Sequence, residues 1–249
     1  MQLLRNHLQS LLQSIQLLSK GKFLIFFIPG ILVSFFFFLL VKIIHFIFGL
    51  LDYAGEIPWV GSSLRTGFAA MDTWSEVGLI YILQFFILTL LSPFNTLLSE
   101  RIENEVTGST FKSGWEQIIK DVIRMIGILL IGFVIDIFLF ILWDLTLANL
   151  FNLDSLTPVY LLIINSFWFG FAFYDFSLER HKISSKNSYK FALNKFGYMI
   201  LTGALFTLLL RLPYFGVAIG SVLMTAVATL NFLALQKASK RDCSDSLEE

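Results

Sequence analysis

The sequence is poor in almost everything that chemistry-bearing soluble proteins use. It has one cysteine, Cys243, so no disulfide framework, thiolate metal site or CxxC redox pair forms within one chain. Its three histidines, His7, His45 and His181, stand in separate segments, and no metal cluster is expected. No G-x-S-x-G, H-E-x-x-H, phosphate-loop or dinucleotide motif occurs, so neither an enzyme nor a cofactor is expected. No Asn-x-Ser/Thr acceptor is present. Charged residues make up only 14% and cancel to zero, which excludes the global field of a nucleic-acid binder.

Apolar side chains fill the space instead. The 249 residues are 56% hydrophobic, include 28 phenylalanines, and have a mean hydropathy of +0.76. That composition excludes an ordinary soluble domain. Residues 23–51 carry only Lys42 and His45 as ionisable groups and contain four consecutive phenylalanines, 35–38. About 20 apolar residues cross a ~30 Å hydrocarbon core, so this stretch reads as a transmembrane helix. Before it, Leu4, Leu8, Leu11, Leu12, Ile15 and Leu18 recur at helical spacing, with Arg5, Asn6, Gln9, Gln13 and Gln16 between them. This is the pattern of a surface-lying amphipathic helix at residues 1–20. The glutamines also interrupt any signal-peptide core, and an uncleaved start is expected.

The pattern predicts a single all-α membrane domain over residues 1–236 and a polar tail over 237–249. Within it, 77–106 is expected to be a second transmembrane helix with a soluble extension. Phe94, Leu97, Leu98, Ile102 and Val106 form the extension's apolar stripe, and Glu100, Arg101, Glu103 and Glu105 its solvated face. Residues 113–174 are expected to form an amphipathic helix and a first hairpin, and 198–235 a second hairpin. At ~1.5 Å per residue the leg 198–210 rises only about 20 Å, so this hairpin is expected to penetrate partly, with its tip at Arg211-Leu212-Pro213. Gly216-x-x-x-Gly220 reads as a close-packing face. Lys and Arg collect in residues 1–22, 99–125, 175–197 and the tail, whereas 52–76 holds only Arg65 against four acids. The asymmetry places both termini in the cytoplasm and the 52–76 loop outside.

Several polar residues are candidate functional groups. Lys20-Gly21-Lys22 opens the first span, where free N–H groups and the helix dipole favour an anion; the plainer role is anchoring to acidic headgroups. Pro93 and Asn95 interrupt the second long helix, which either exposes backbone groups to a polar path or makes a helix-entry turn. Asp136 lies in an apolar run, where it either pairs with Lys42 or Arg211, lines an ion path, or sits at a polar boundary. Arg211 either attracts an anion at the hairpin tip or locks the tip to a carboxylate. Lys42 is expected to snorkel.

Some of these residues carry a family resemblance. Ser92-Pro93-Phe94-Asn95, followed by Leu97-Leu98, Glu100 and Thr107-Gly108, resembles the Pro-Phe-Asn block of the CysZ sulfate permeases, whose superfamily includes the etoposide-induced 2.4 proteins. Tyr174-Asp175-Phe176 with Arg180-His181-Lys182, Phe196-Gly197, and Leu212-Pro213-Tyr214-Phe215 are similar to further family segments, over residues 20–235 in all. The resemblance implies two long transmembrane helices, two helical hairpins, a homo-oligomer in a bacterial inner membrane, and inward movement of sulfate. It also implies an anion site at a glycine followed by two arginines. Gly21 matches, but Phe23 and Leu24 hold the arginine positions, leaving Lys20 and Lys22. Lysine lacks the bidentate fork of arginine. Two functions follow as expectations. One is a permease or channel for sulfate or a related oxyanion, with membrane lipids and the anion as partners. The other is a membrane scaffold without transport, expected if Asn95, Asp136 and Arg211 lie apart.

Overall fold

A computed structural model describes residues 2–54, 86–110, 114–148, 154–212 and 215–245. Among these residues all regular structure is helical. Helix α1 is Gln2–Ser19, and α2 is Phe27–Ala54 after a 3₁₀ turn at Leu24–Phe26. Helix α3 covers residues 86–107. Helix α4 is Trp115–Leu142 and runs into a π-helical turn, Trp143–Ala148. Helix α5 is Thr157–Arg180, α6 Ser185–Asn194, α7 Phe196–Leu210 and α8 Gly216–Asp245. The expected loop beyond residue 54, residues 77–85 and Pro213 lie outside the described residues.

The elements begin and end where local chemistry dictates. Gly21 adopts φ +78 between α1 and the 3₁₀ turn, a left-handed conformation that costs glycine little. Gly108, at φ +71, ends α3 by donating its N–H to the Asn104 carbonyl. Pro158 sits in the first turn of α5, where its missing donor is harmless.

Three described segments are long and apolar enough to cross a membrane: Ile119–Leu142, Thr157–Arg180 and Gly216–Ala238. This is compatible with a multi-pass membrane protein. They differ in surroundings. The first is 22% buried and turns Val134, Phe138 and Ile141 outward, whereas the others are 67% and 72% buried. Helices α5 and α8 therefore form the interior, and α4 flanks it.

The interior is closed by glycine. A Cβ on Gly170 would sit 1.9 Å from the Met199 carbonyl oxygen, and one on Gly203 1.8 Å from that of Ser166. The backbones of α5 and α7 thus touch at two levels, with Phe169 and Phe173 packed edge-on against Phe206 beside them. Gly216 likewise meets the α7 backbone at the Leu209 carbonyl, and Gly220 makes room for the Phe206 ring, as expected of the small-residue motif.

Four expectations need correction. Pro93 does not interrupt α3, which is helical throughout 86–107; packing on neighbouring helices holds the axis and offsets the missing donor. The face of α3 expected to be solvated is partly buried, and its apolar stripe is inward only in part, at Leu98 and Ile102. Phe94 and Val106 are exposed, while Glu100 and Glu103 are buried, because charged partners await the carboxylates inside. Helix α5 continues past Phe173 to Arg180, since Asp175 and Glu179 find cationic partners. Helix α8 continues to Asp245 where a polar tail was expected.

Crowding at Gly203 yields a paired prediction. Gly203→Ala should lower stability by about 1–3 kcal/mol, the usual cost of overpacking. Gly127→Ala, whose new Cβ meets nothing within 4 Å, should be neutral or gain up to ~1 kcal/mol from helix propensity. Thermal unfolding in detergent micelles compares them; equal melting of both variants would show that the α5–α7 contact tolerates separation.

Candidate functional site

The start of α2 meets the end of α3 in antiparallel register. Lys22 Nζ donates to Glu105 Oε1 at 2.6 Å, and the Arg101 guanidinium lies over the Phe26 ring, 5.3 Å from its centroid. Between them Lys22, Phe23, Arg101, Asn104 and Glu105 line a cavity of about 330 Å³. Its charge is unbalanced. Lys22 and Arg101 face a single carboxylate, and the Lys20 charge also reaches Glu105. The hydrogen bond from Lys22, then its charge, hold the Glu105 carboxyl below the usual carboxylate range. The Lys22–Glu105 pair is solvent-exposed, and such pairs contribute little to stability. An incoming anion can therefore take the place of Glu105 at little cost. Arg101 adds a planar guanidinium, a group whose geometry can present two parallel donors to an oxyanion.

Of the sequence candidates Lys22 lines this cavity, Lys20 and Gly21 are not among its lining residues, and Arg101 was missed. Arg101 is 79 positions beyond Lys22 in the chain, and reads there as one more charge on a solvated face.

A second polar assembly, also missed, joins the ends of α3, α5 and α8 and the start of α4. Arg124 makes a fork with Asp175, Nε to Oδ2 at 3.1 Å and Nη2 to Oδ1 at 2.8 Å. It also donates to the Ile183 carbonyl and the Ser188 hydroxyl, both at 2.7 Å. Asp121 accepts from Gln117 and lies in hydrogen-bond contact with Glu179. Arg180 Nη2 lies 2.9 Å from Glu103 Oε2 and donates to Ser99 Oγ at 2.8 Å. His181 Nε2 donates to the other Glu103 oxygen at 3.0 Å. Burial alone would raise the Glu103 pKa, but the His181 hydrogen bond and the Arg180 charge outweigh it and hold the carboxyl low. Ser99 also bonds Thr229 Oγ1 at 2.7 Å, bringing α8 into the assembly. Nothing here is arranged to attract an anion, because carboxylates outnumber guanidiniums.

The remaining candidates disperse. Asp136 pairs with neither Lys42 nor Arg211; it accepts from the indole of Trp168 on α5. Lys42 lies over the Phe38 ring at 5.7 Å, and Arg211 is exposed where α7 ends. Asn95 is buried in α3, and its Nδ2, with Ser92 Oγ and Thr96 Oγ1, meets no protein hydrogen-bond partner among the described residues. Buried polar groups without protein partners ordinarily bind water. Asn95, Asp136 and Arg211 thus occupy three different settings.

No family model and no curated protein matches this chain.

The Arg124–Asp175 fork carries the second prediction. Asp175→Ala strands a buried guanidinium and should destabilise by about 3–5 kcal/mol, whereas Arg124→Met with Asp175→Leu should recover most of the loss. A double-mutant cycle on unfolding in detergent measures the coupling; additive losses would show the two side chains acting independently.

Acidification tests two other groups. His7, buried between α1 and α8, accepts from Asn231 Nδ2 at 2.9 Å, and burial pushes its pKa from 6.5 down to about 4. The unfolded chain therefore binds a proton that the folded one refuses between these values. Stability should fall as pH drops from about 6.5 towards 4. Glu103, held below its usual 4.5, contributes stability that is present above that value and is lost below it. His7→Gln should remove the upper step and Glu103→Gln the lower, read as melting temperature against pH; an unchanged profile in both would assign acid lability elsewhere.

Proposed function

We propose that the chain is an integral membrane permease or channel for a small oxyanion, sulfate or a relative of it. Lys20, Lys22 and Arg101 would form the binding site at the cytoplasmic mouth. The observation that carries this reading is that Arg101 lines the same cavity as Lys22, which follows Lys20 and Gly21 in the chain. The CysZ-like motif at residues 92–108 supports it, because the same helix that bears Pro93 and Asn95 delivers Arg101. Behind the cavity, the hydroxyls of Ser92 and Thr96 and the Asn95 amide are uncharged donors suited to passing an oxyanion along α3. Contacts among Glu103, Arg180, His181 and Gln236 tie together the segments that the lysine and arginine asymmetry assigns to the cytoplasm. In this reading the protein resides in a bacterial inner membrane with both termini inside. No nucleotide-hydrolysing motif is present in the sequence, so flux would be passive or ion-coupled.

A scaffold without transport is the second reading. The observation favouring it is the dispersal of Asn95, Asp136 and Arg211, with Asp136 satisfied by Trp168.

Sulfate uptake into liposomes holding the purified protein separates the two. Arg101→Gln, and Lys20→Gln with Lys22→Gln, should each cut uptake roughly tenfold or more, the scale set by losing one charge-assisted contact of ~1.5–3 kcal/mol. Insertion should be intact, because all three side chains are exposed. No uptake by the unaltered protein would support the scaffold. Uptake insensitive to all three changes would move the site elsewhere, with Arg211 next to test.

A further inference from the structure

Helix α1 has three faces. At 100° per residue, His7, Ser10, Ser14, Leu17 and Leu18 fall on one side, buried against α8 and its neighbours. Arg5, Gln9, Gln13 and Gln16 fall on a second, exposed side. Leu4, Leu8, Leu12 and Ile15 form a third, at 61, 53, 54 and 48% exposure. An edge helix of a water-soluble protein turns its leucines inward and its serines out. Here the inward side already holds Leu3, Leu11, Leu17 and Leu18 along with a histidine and two serines, and a second, straight row of large aliphatic side chains faces away from the protein.

Neighbouring residues indicate what covers that row. The chain turns by 105° from α1 into the segment that follows, where Leu24, Ile25, Ile28 and Leu32 are exposed. The apolar row therefore abuts another outward-facing apolar surface. The segment from Gln2 to Lys22 contains Arg5, Lys20 and Lys22 and no carboxylate. A second copy of α1 on the same row would bring two acid-free, cationic segments together, which is unfavourable. A negatively charged bilayer surface meets both requirements, taking the row into its acyl chains and the cations against its phosphates.

We propose that the Leu4–Leu8–Leu12–Ile15 row is a docking surface for a leaflet of anionic phospholipid. Helix α1 lies at the headgroup boundary, held by α8 on one side, acyl chains on the second and water on the third. Arg5 and Lys20 supply the preference for negative lipid, while Lys22 is engaged by Glu105. The inference is independent of transport and holds for a permease or a scaffold.

The test is depth-dependent quenching on the full chain. In a Cys243→Ser background, single cysteines at Leu8, Leu12, Gln9 and Gln13 are labelled with an environment-sensitive fluorophore. The proteins are reconstituted into vesicles whose acyl chains carry bromine. All four side chains are exposed, so none of these substitutions removes a core contact. Quenching at positions 8 and 12 should exceed that at 9 and 13 by roughly twofold or more, as for an interfacial helix. The difference should be larger in phosphatidylglycerol than in phosphatidylcholine, and Arg5→Gln should reduce that lipid preference. Equal quenching at all four positions overturns the proposal. So does an absence of lipid preference. Unquenched labels at 8 and 12, with disulfide cross-linking through Leu8→Cys, would assign the row to a second copy instead.

Discussion

Asp175 is completely buried, and its partner Arg124 stands on a different helix. A carboxylate removed from water is costly unless its partner is fixed in place, and breaking such a pair is more destabilising than never having built it. The constraint spreads outward from this fork. Arg124 must sit near the start of α4, Asp175 near the end of α5, and the same guanidinium holds the Ile183 carbonyl and Ser188 at the entry to α6. Three helices and the link between two of them are thereby placed by one side chain. The apolar contacts elsewhere would permit sliding; the fork, with its fixed geometry, does not.

The Arg180–Glu103–His181 group extends the same logic to α3 and α8. Its serine and threonine hydroxyls connect helices that otherwise meet through small or aliphatic side chains. Ion pairs gather at one end of the molecule, while aromatic and glycine contacts fill the middle. This division explains why a chain with so few charges buries several of them. In apolar surroundings, dispersion contacts set close packing, and only paired polar groups set register.

Against that assembly the cavity between α2 and α3 stands out by its surplus of positive charge and its exposure. In the buried assembly carboxylates outnumber guanidiniums, so its net charge does not favour an anion. Lys22 pairs with the exposed Glu105, the Lys20 charge reaches the same carboxylate, and Arg101 lines the cavity over the Phe26 ring.

Amino-acid pattern alone determined the helical class, the presence of long apolar segments, and the breaks at Gly21 and Gly108. These depend on local propensity and on hydrophobic length, both carried by neighbouring residues. It also singled out Lys22, which lines the cavity between α2 and α3. What it could not locate was any pairing across distant segments. Arg101 and Glu103 belong to one charged run, and nothing local distinguishes the residue that turns to a cavity from the residue that turns to Arg180. Pro93 carries a local signal for a break that packing overrides. Leu4 and Leu11 are equivalent in an amphipathic pattern, yet one faces away from the protein and the other packs against the core. Only tertiary structure decided these outcomes, because the cost of burying a charge, a proline or a hydroxyl depends on what stands opposite it, and the opposite wall is built by another part of the chain.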